Sequence, residues 1–195
     1  MTLGEQLDPY LKKHLGLRLG EEELEFEVAH TLFASHEVDA GTKLLLRCLE
    51  GAPTPRNVLD LGCGYGVLGI ALARRFPEAH VTMVDSNLLA VRYARSNATL
   101  NGAINTEVVG SVGLEEVPRG DYDLIVSNIP AKIGDEAIET DFVRAPRERL
   151  SPGGTYWLVA VSGLNHLLKR IESRGKVPIR QVRKRSGHSV YRLEA

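Results

Sequence analysis

An α/β fold is what this sequence predicts: a seven-stranded, mostly parallel sheet with helices on both faces and an antiparallel hairpin at its C-terminal end. Three observations carry that expectation. The stretch Asn57–Asp85, NVLDLGCGYGVLGIALARRFPEAHVTMVD, reads as strand, glycine turn, helix, strand and terminal acid. Beyond it, strand-like and helix-like segments alternate, which calls for right-handed crossovers between parallel strands. The last two strand-like runs are instead joined through Ser186-Gly187, a hairpin signal.

The elements follow in order. Leu7, Leu11 and Leu15 recur at spacing four and predict a short amphipathic helix over residues 5–15. Leu24, Phe26 and Val28 alternate with Glu23, Glu25 and Glu27, the period of a half-buried strand. Asp39 or Gly41 starts the next helix, with Leu44, Leu45, Cys48 and Leu49 turned inward. The prolines of GAPTPR (51–56) end it. Strands are then expected at 57–61, 80–84, 105–109, 122–127, 154–161, 177–184 and 188–193, and helices at 66–76, 87–101, 135–149 and 163–174. Residues 1–50 are read as an extension and lead-in helix packed on a ligand-binding domain at 51–195, together one compact unit.

Composition bounds the class. With 195 residues, 43% hydrophobic and 25% charged, the chain can bury a sizeable core and has an ordinary globular make-up. A net charge of −1 argues against a wholly basic nucleic-acid binder but leaves room for a local basic patch. Two cysteines, Cys48 and Cys63, make no disulfide framework, so a cytoplasmic location is expected. No apolar run approaches the ~18 residues of a membrane span, and MTLGEQLDPYLKKHLG lacks the apolar core of a signal peptide. His36, His166 and His188 share no metal-ligand spacing with cysteines or acids, so no metal is expected.

The ligand follows from the glycine turn. Gly64, Gly66 and Gly69 spell a dinucleotide fingerprint, with Asp85 at about the ~20-residue offset that a ribose-binding acid takes. Asp60, just before the glycines, opposes that reading, because a carboxylate repels an incoming pyrophosphate. It suits a cationic amino group instead. The first glycine also falls earlier, at Gly62. A ligand with a positive methionine-like tail, facing Asp60 directly or through water, and an adenosine ribose, taken by Asp85, fits both acids; that ligand is S-adenosylmethionine.

Strand ends are where ligands meet this kind of sheet, and the strand YDLIVSNIP (122–130) ends in Asn128-Ile129-Pro130. Together with DLGCGYG and the lead-in LFASHEVDAGTKLLL (32–46), this ending resembles the small-domain class I methyltransferases, which carry Asn-Pro-Pro-Phe/Tyr here. That family includes ribosomal RNA guanine-N2 methyltransferases and single-domain archaeal and bacterial relatives. The likeness spans about residues 32–193. It implies a Rossmann-like class I methyltransferase fold, with S-adenosylmethionine as donor and S-adenosylhomocysteine as product. It implies that Asp60, Gly62 and Gly64 line the methionine end, with Cys63 and Gly66 in the same turn. Asp85 would hold the ribose, Ser86 and Asn87 lie beside the adenine, and Ser111 and Val112 flank it. Asn128 would hold the acceptor amine beside the cofactor: its Oδ1 and the Ile129 carbonyl accept the two amine hydrogens, while Pro130 fixes the backbone. The lead-in would lie over the cofactor.

The chain departs from the family at Ile129-Pro130-Ala131, where Pro, Pro and an aromatic are expected. Ala131 cannot stack on a base. The sequence also approaches the Asn-Ile-Leu-Ala of ribosomal protein L11 methyltransferases. The motif therefore supports amine methylation better than any one polymer; what the resemblance implies is an amine methyltransferase acting on RNA, with guanine N2 of ribosomal RNA as the best assignment. The alternatives are a protein amine methyltransferase of the L11 type, a small-molecule enzyme, or a cofactor-binding accessory protein without catalysis; an NAD oxidoreductase is the remote option. Lys169, Arg170, Arg174, Lys176, Arg180, Arg183, Lys184, Arg185 and Arg192 face few acids, and are either a solvated surface or a phosphate-contacting flank. Membrane partners are not expected, and the oligomeric state stays open. Plainer readings stand beside these: Asn128 as a turn cap, Cys63 as a residue that merely fits, and Tyr156 and Trp157 as core or edge.

Overall fold

The computed structural model describes residues 8–32, 36–118, 120–175 and 177–195. Strand β1 (Leu11–Leu19) and strand β2 (Glu22–Ala29) form an antiparallel hairpin, followed by helix α1 (Ala40–Cys48). The core then runs β3 (Asn57–Leu61), α2 (Val67–Arg75), β4 (His80–Asp85), α3 (Leu88–Leu100), β5 (Thr106–Gly110) and β6 (Tyr122–Asn128). It continues through α4 (Asp135–Glu139), a π-helical turn at Thr140–Arg144, α5 (Ala145–Arg147), β7 (Leu150–Val161), α6 (Asn165–Gly175), β8 (Arg180–Arg185) and β9 (His188–Glu194).

The seven core strands lie in the order β5-β4-β3-β6-β7-β9-β8. The first five are parallel, and β9 enters antiparallel to β7 and β8. This is the expected fold. Period-two alternation explains how one sheet serves two layers. Val58, Leu124, Val126 and Val159 join the apolar cluster that also holds α1, α2 and α3. Their neighbours Leu59, Ile125, Leu158 and Ala160 face the opposite cluster with α6.

Two expected helices differ. The helix read over 5–15 is strand β1, and residues 5–7 lie outside the described residues. Leu11 and Leu15 fit period two as well as spacing four. Leu15 and Leu17 are buried between exposed His14, Gly16 and Arg18, and pairing with β2 decides the matter. The single helix expected at 135–149 is broken instead. Pro146 has no N–H and cannot continue a regular ladder. The Ala145 N–H reaches back five residues to the Thr140 carbonyl, the signature of a π-turn.

The hairpin is tied to the core by two asparagines one helical turn apart, Asn97 on α3 and Asn101 at its C-terminal cap. Asn97 Oδ1 accepts from the Glu27 N–H at 2.7 Å, and its Nδ2 donates to the Glu27 carbonyl at 3.0 Å. Asn101 repeats the pattern on Glu25, at 3.0 and 2.7 Å. Each amide stands in for a paired strand, so the outer edge of β2 is satisfied by side chains. Leu15, Leu17, Leu24 and Phe26 of the hairpin belong to the same apolar cluster as α1 to α3.

Candidate functional site

The carboxyl edge of the sheet gathers most of the residues singled out above. β3 ends in the glycine turn 62–66, and Gly62 (φ 71°) and Gly64 (φ 57°) take the left-handed conformation that this reversal needs. The turn is held from the neighbouring strand: Gly62 and Cys63 N–H groups both donate to the Val84 carbonyl, at 2.8 and 2.9 Å. Asp85 closes the frame. Its Oδ2 accepts from the Gly64 N–H at 2.9 Å and its Oδ1 from the Asn87 N–H at 2.9 Å. A Cβ placed on Gly64 would meet nothing within 4 Å, so this face of the turn is open for a ligand.

Asp60 sits beneath the turn, fully buried. Its Oδ2 accepts from the Gly69 N–H at 2.8 Å in the first turn of α2. Its Oδ1 is buried with no partner among the described residues. Burial pushes the Asp60 carboxyl up to about 7; the Gly69 N–H pulls the other way, and nearby Asp85 adds to the rise. A buried carboxylate with one idle oxygen suits a ligand that brings a positive charge or a hydrogen-bond donor. Cys63 is buried beside it, and burial together with Asp60 and Asp85 raises its thiol well above the ordinary value, so it stays protonated and unreactive.

The expected adenine side is partly engaged by the backbone. Asn87 Oδ1 caps α3 by accepting from the Leu89 N–H at 3.0 Å. Ser111 is buried, with its hydroxyl accepting from the Glu116 N–H at 3.0 Å. Ser86 is exposed, and Val112 is 62% exposed. Leu88, which sequence reasoning passed over, is 74% exposed and lies over Gly110 at the end of β5. Leu88 and Val112 are both large apolar side chains left bare just beyond the ends of β4 and β5; an apolar residue directly after a cap was the available signal for Leu88.

Asn128 ends β6, the neighbour of β3 on the other side, and its Nδ2 donates to Asp39 Oδ2 at 2.8 Å and to Thr42 Oγ1 at 3.0 Å. Ile129 is buried and donates its N–H to the Val159 carbonyl at 2.9 Å, while Pro130 and Ala131 open an exposed loop. In the lead-in, Phe33, Ala34 and Ser35 lie outside the described residues, but Asp39 and Thr42 meet Asn128 directly. Sequence reasoning also missed Phe142: an added Cβ on Gly62 would come 3.3 Å from its ring, so the π-turn brings an aromatic to the glycine turn. Only the break at Pro146 hinted at it.

Residues 23–192 match the family described as Methyltransferase small domain. The chain belongs to that family. Among curated members it is 38% identical over 138 residues to ribosomal RNA small subunit methyltransferase C of Pseudomonas entomophila, covering 69% of this chain but only 41% of that protein. It is 30% identical over 149 residues to protein YbxB of Bacillus subtilis, covering 76% of this chain and 74% of the relative. This small-domain methyltransferase chain thus spans less than half the length of the ribosomal RNA enzyme it matches. Among solved structures, the 16S rRNA N2 G1207 methyltransferase of Thermus thermophilus, determined with AdoMet and guanosine, superposes with a TM-score of 0.79 at 27% identity. That match covers 95% of this small-domain chain and 51% of the other.

The basic C-terminal region divides. Arg170 pairs with Asp135 at 2.6 Å, and Arg192 pairs with Glu194 at 3.0 Å and lies over the Trp157 ring. Lys176 is outside the described residues. Every residue of β8 is exposed, including Arg180, Arg183, Lys184 and Arg185. Arg185 pairs with His188, which also pairs with Val161, so the hairpin tip stands at the same carboxyl edge as Asn128. No helix among the described residues is long and apolar enough to cross a membrane.

Proposed function

We propose that this chain binds S-adenosylmethionine across the glycine turn and transfers its methyl group to an exocyclic amine of RNA, with guanine N2 of ribosomal RNA as the target. One observation carries the reading: Asp85, the open face of Gly64 and Asn128 stand together at the carboxyl ends of three adjacent parallel strands, β4, β3 and β6. The ligand named in the Thermus structure agrees with it.

When bound, S-adenosylmethionine supplies a sulfonium methyl group that a nucleophile displaces in line. The chain's own residues bind, orient and exclude water. Asp85 takes the ribose hydroxyls, Leu88 and Val112 cover the adenine, and Ser86, Asn87 and Ser111 line that side mainly through their backbone. Asp60 Oδ1, with Gly62, Cys63, Gly64 and Gly66 around it, receives the amino end. Asn128 Oδ1 and the Ile129 carbonyl accept the two hydrogens of the acceptor amine. That aims its lone pair, which is the main demand of such a displacement. Pro130 fixes the carbonyl's direction.

An RNA target places the work in the cytoplasm and gives the exposed cations of β8 a phosphate-contacting role. The absence of a ring at Ala131 favours one second reading, transfer to a protein amine. The test is incubation with methyl-labelled S-adenosylmethionine and separated ribosomal RNA, ribosomal subunits and ribosomal proteins, followed by nucleoside digestion. Label in N2-methylguanosine is expected; label confined to protein overturns the RNA assignment.

A further inference from the structure

Asp39 stands just before α1 and its carboxylate serves two elements at once. Oδ2 accepts from the Thr42 N–H at 2.9 Å, capping the helix, and from Asn128 Nδ2 at 2.8 Å. Asn128 Nδ2 also donates to Thr42 Oγ1 at 3.0 Å. An ionised carboxylate only accepts, so the Asn128 atom facing it must be the NH₂ group. Both Nδ2 hydrogens are therefore spent on the α1 side, and Oδ1 is turned away from it.

The seat for this arrangement is built tightly. A Cβ on Gly41 would come 2.7 Å from His188 Cδ2, 2.8 Å from Asp39 Oδ2 and 3.2 Å from Val159 Cγ2. Only glycine lets the first turn of α1 come this close to β7 and β9. His188 Nε2 stands 3.8 Å from Asp39 Oδ1 and closes the other side of the carboxylate.

We propose that Asp39 is a positioning residue that sets which end of the Asn128 amide meets the methyl acceptor, and so selects acceptors by hydrogen-bond polarity. The proposal rests on the reading of Asn128 as the acceptor-holding residue. With Oδ1 presented, the site welcomes a nitrogen that carries hydrogens, such as an exocyclic amine. A flipped amide would present two donors and suit a bare ring nitrogen instead. Asp39, with Thr42 as its second anchor, forbids the flip.

The test uses Asp39→Ser, which keeps a capping oxygen but removes the carboxylate, and Asp39→Asn, which keeps an acceptor in place. With methyl-labelled S-adenosylmethionine and ribosomal RNA, Asp39→Ser should lower kcat by about 10²-fold. Tm and cofactor Kd should hold, and Asp39→Asn should recover part of the rate. In an Asn128→Ala background, Asp39→Ser should add nothing, because both changes remove the same function. Full additivity, or a rate that falls only in step with Tm, overturns the proposal. A second measurement needs no substrate. The Asn128 side-chain amide signal, assigned by its disappearance in Asn128→Ala, should exchange slowly with water in the native protein, faster in Asp39→Asn and fastest in Asp39→Ser. Equal exchange in all three overturns the proposal. If the native protein labels no RNA, the RNA reading fails, and the amide measurement still decides the role of Asp39.

Discussion

Asp85 and Gly64 are joined by a 2.9 Å hydrogen bond from the glycine N–H to Oδ2, so the acid that ends β4 braces the turn that ends β3. In the proposed site the group that takes the ribose and the cradle are one unit. Asp85→Ala should therefore weaken S-adenosylmethionine binding by on the order of 1.5–3 kcal/mol for each charged hydrogen bond removed. It should also free the Gly64 and Asn87 N–H groups, loosening the turn. Calorimetry and amide exchange on the folded variant measure the two effects; unchanged affinity refutes the assignment of the ribose to Asp85.

In the proposed site Asn128 acts on the acceptor and not on the donor. Asn128→Ala should lower turnover by about 10²-fold while leaving cofactor affinity nearly unchanged. Comparing single-turnover methyl transfer with direct cofactor binding checks this. Undiminished turnover removes Asn128 from the acceptor site.

Asp60 makes stability depend on pH in an unusual direction. Its carboxyl titrates at about 7 in the folded chain against 3.8 ordinarily, because burial disfavours the charge. Between those values the folded state holds a proton that the unfolded state releases, so this group's contribution to stability falls as pH rises towards 7 and levels off above it. Each unit of elevation corresponds to about 1.4 kcal/mol. Asp60→Asn should remove that slope, read from denaturant unfolding across pH 4–8. A ligand with an ammonium group favours the carboxylate, so its binding should release a proton near neutral pH, as calorimetry in buffers of different ionisation enthalpy would show.

The cations of β8 divide between the two faces of an edge strand. Arg183 reaches the Cys48 thiol on α1, and Arg185 shares its side while Lys184 faces the other way. Replacing Arg183, Lys184 and Arg185 with Gln should reduce the salt dependence of RNA binding by about 0.7–0.9 in log–log slope for each phosphate no longer neutralised. Cofactor affinity should not move. Identical slopes, measured by titration of binding against salt, remove β8 from the RNA surface.

Much of this protein could be read from local pattern. The strand–glycine–helix unit at 57–75 and the terminal acid at Asp85 depend on periodicity and turn chemistry over a few residues, and both are present. The final hairpin announced itself through Ser186-Gly187, where φ is positive at both residues. Tertiary pairing decided the rest. β1 carries leucines at a spacing that fits helix or strand, and only the partner strand β2 and the Asn97–Glu27 and Asn101–Glu25 bonds resolve it. The direction of the Asn128 amide is set by Asp39, 89 residues away in the chain, and Phe142 meets Gly62 from within the π-turn at Thr140–Arg144. Local sequence determines which backbone states are cheap; which side chains face one another across elements is settled by packing, where the energies come from groups distant along the chain.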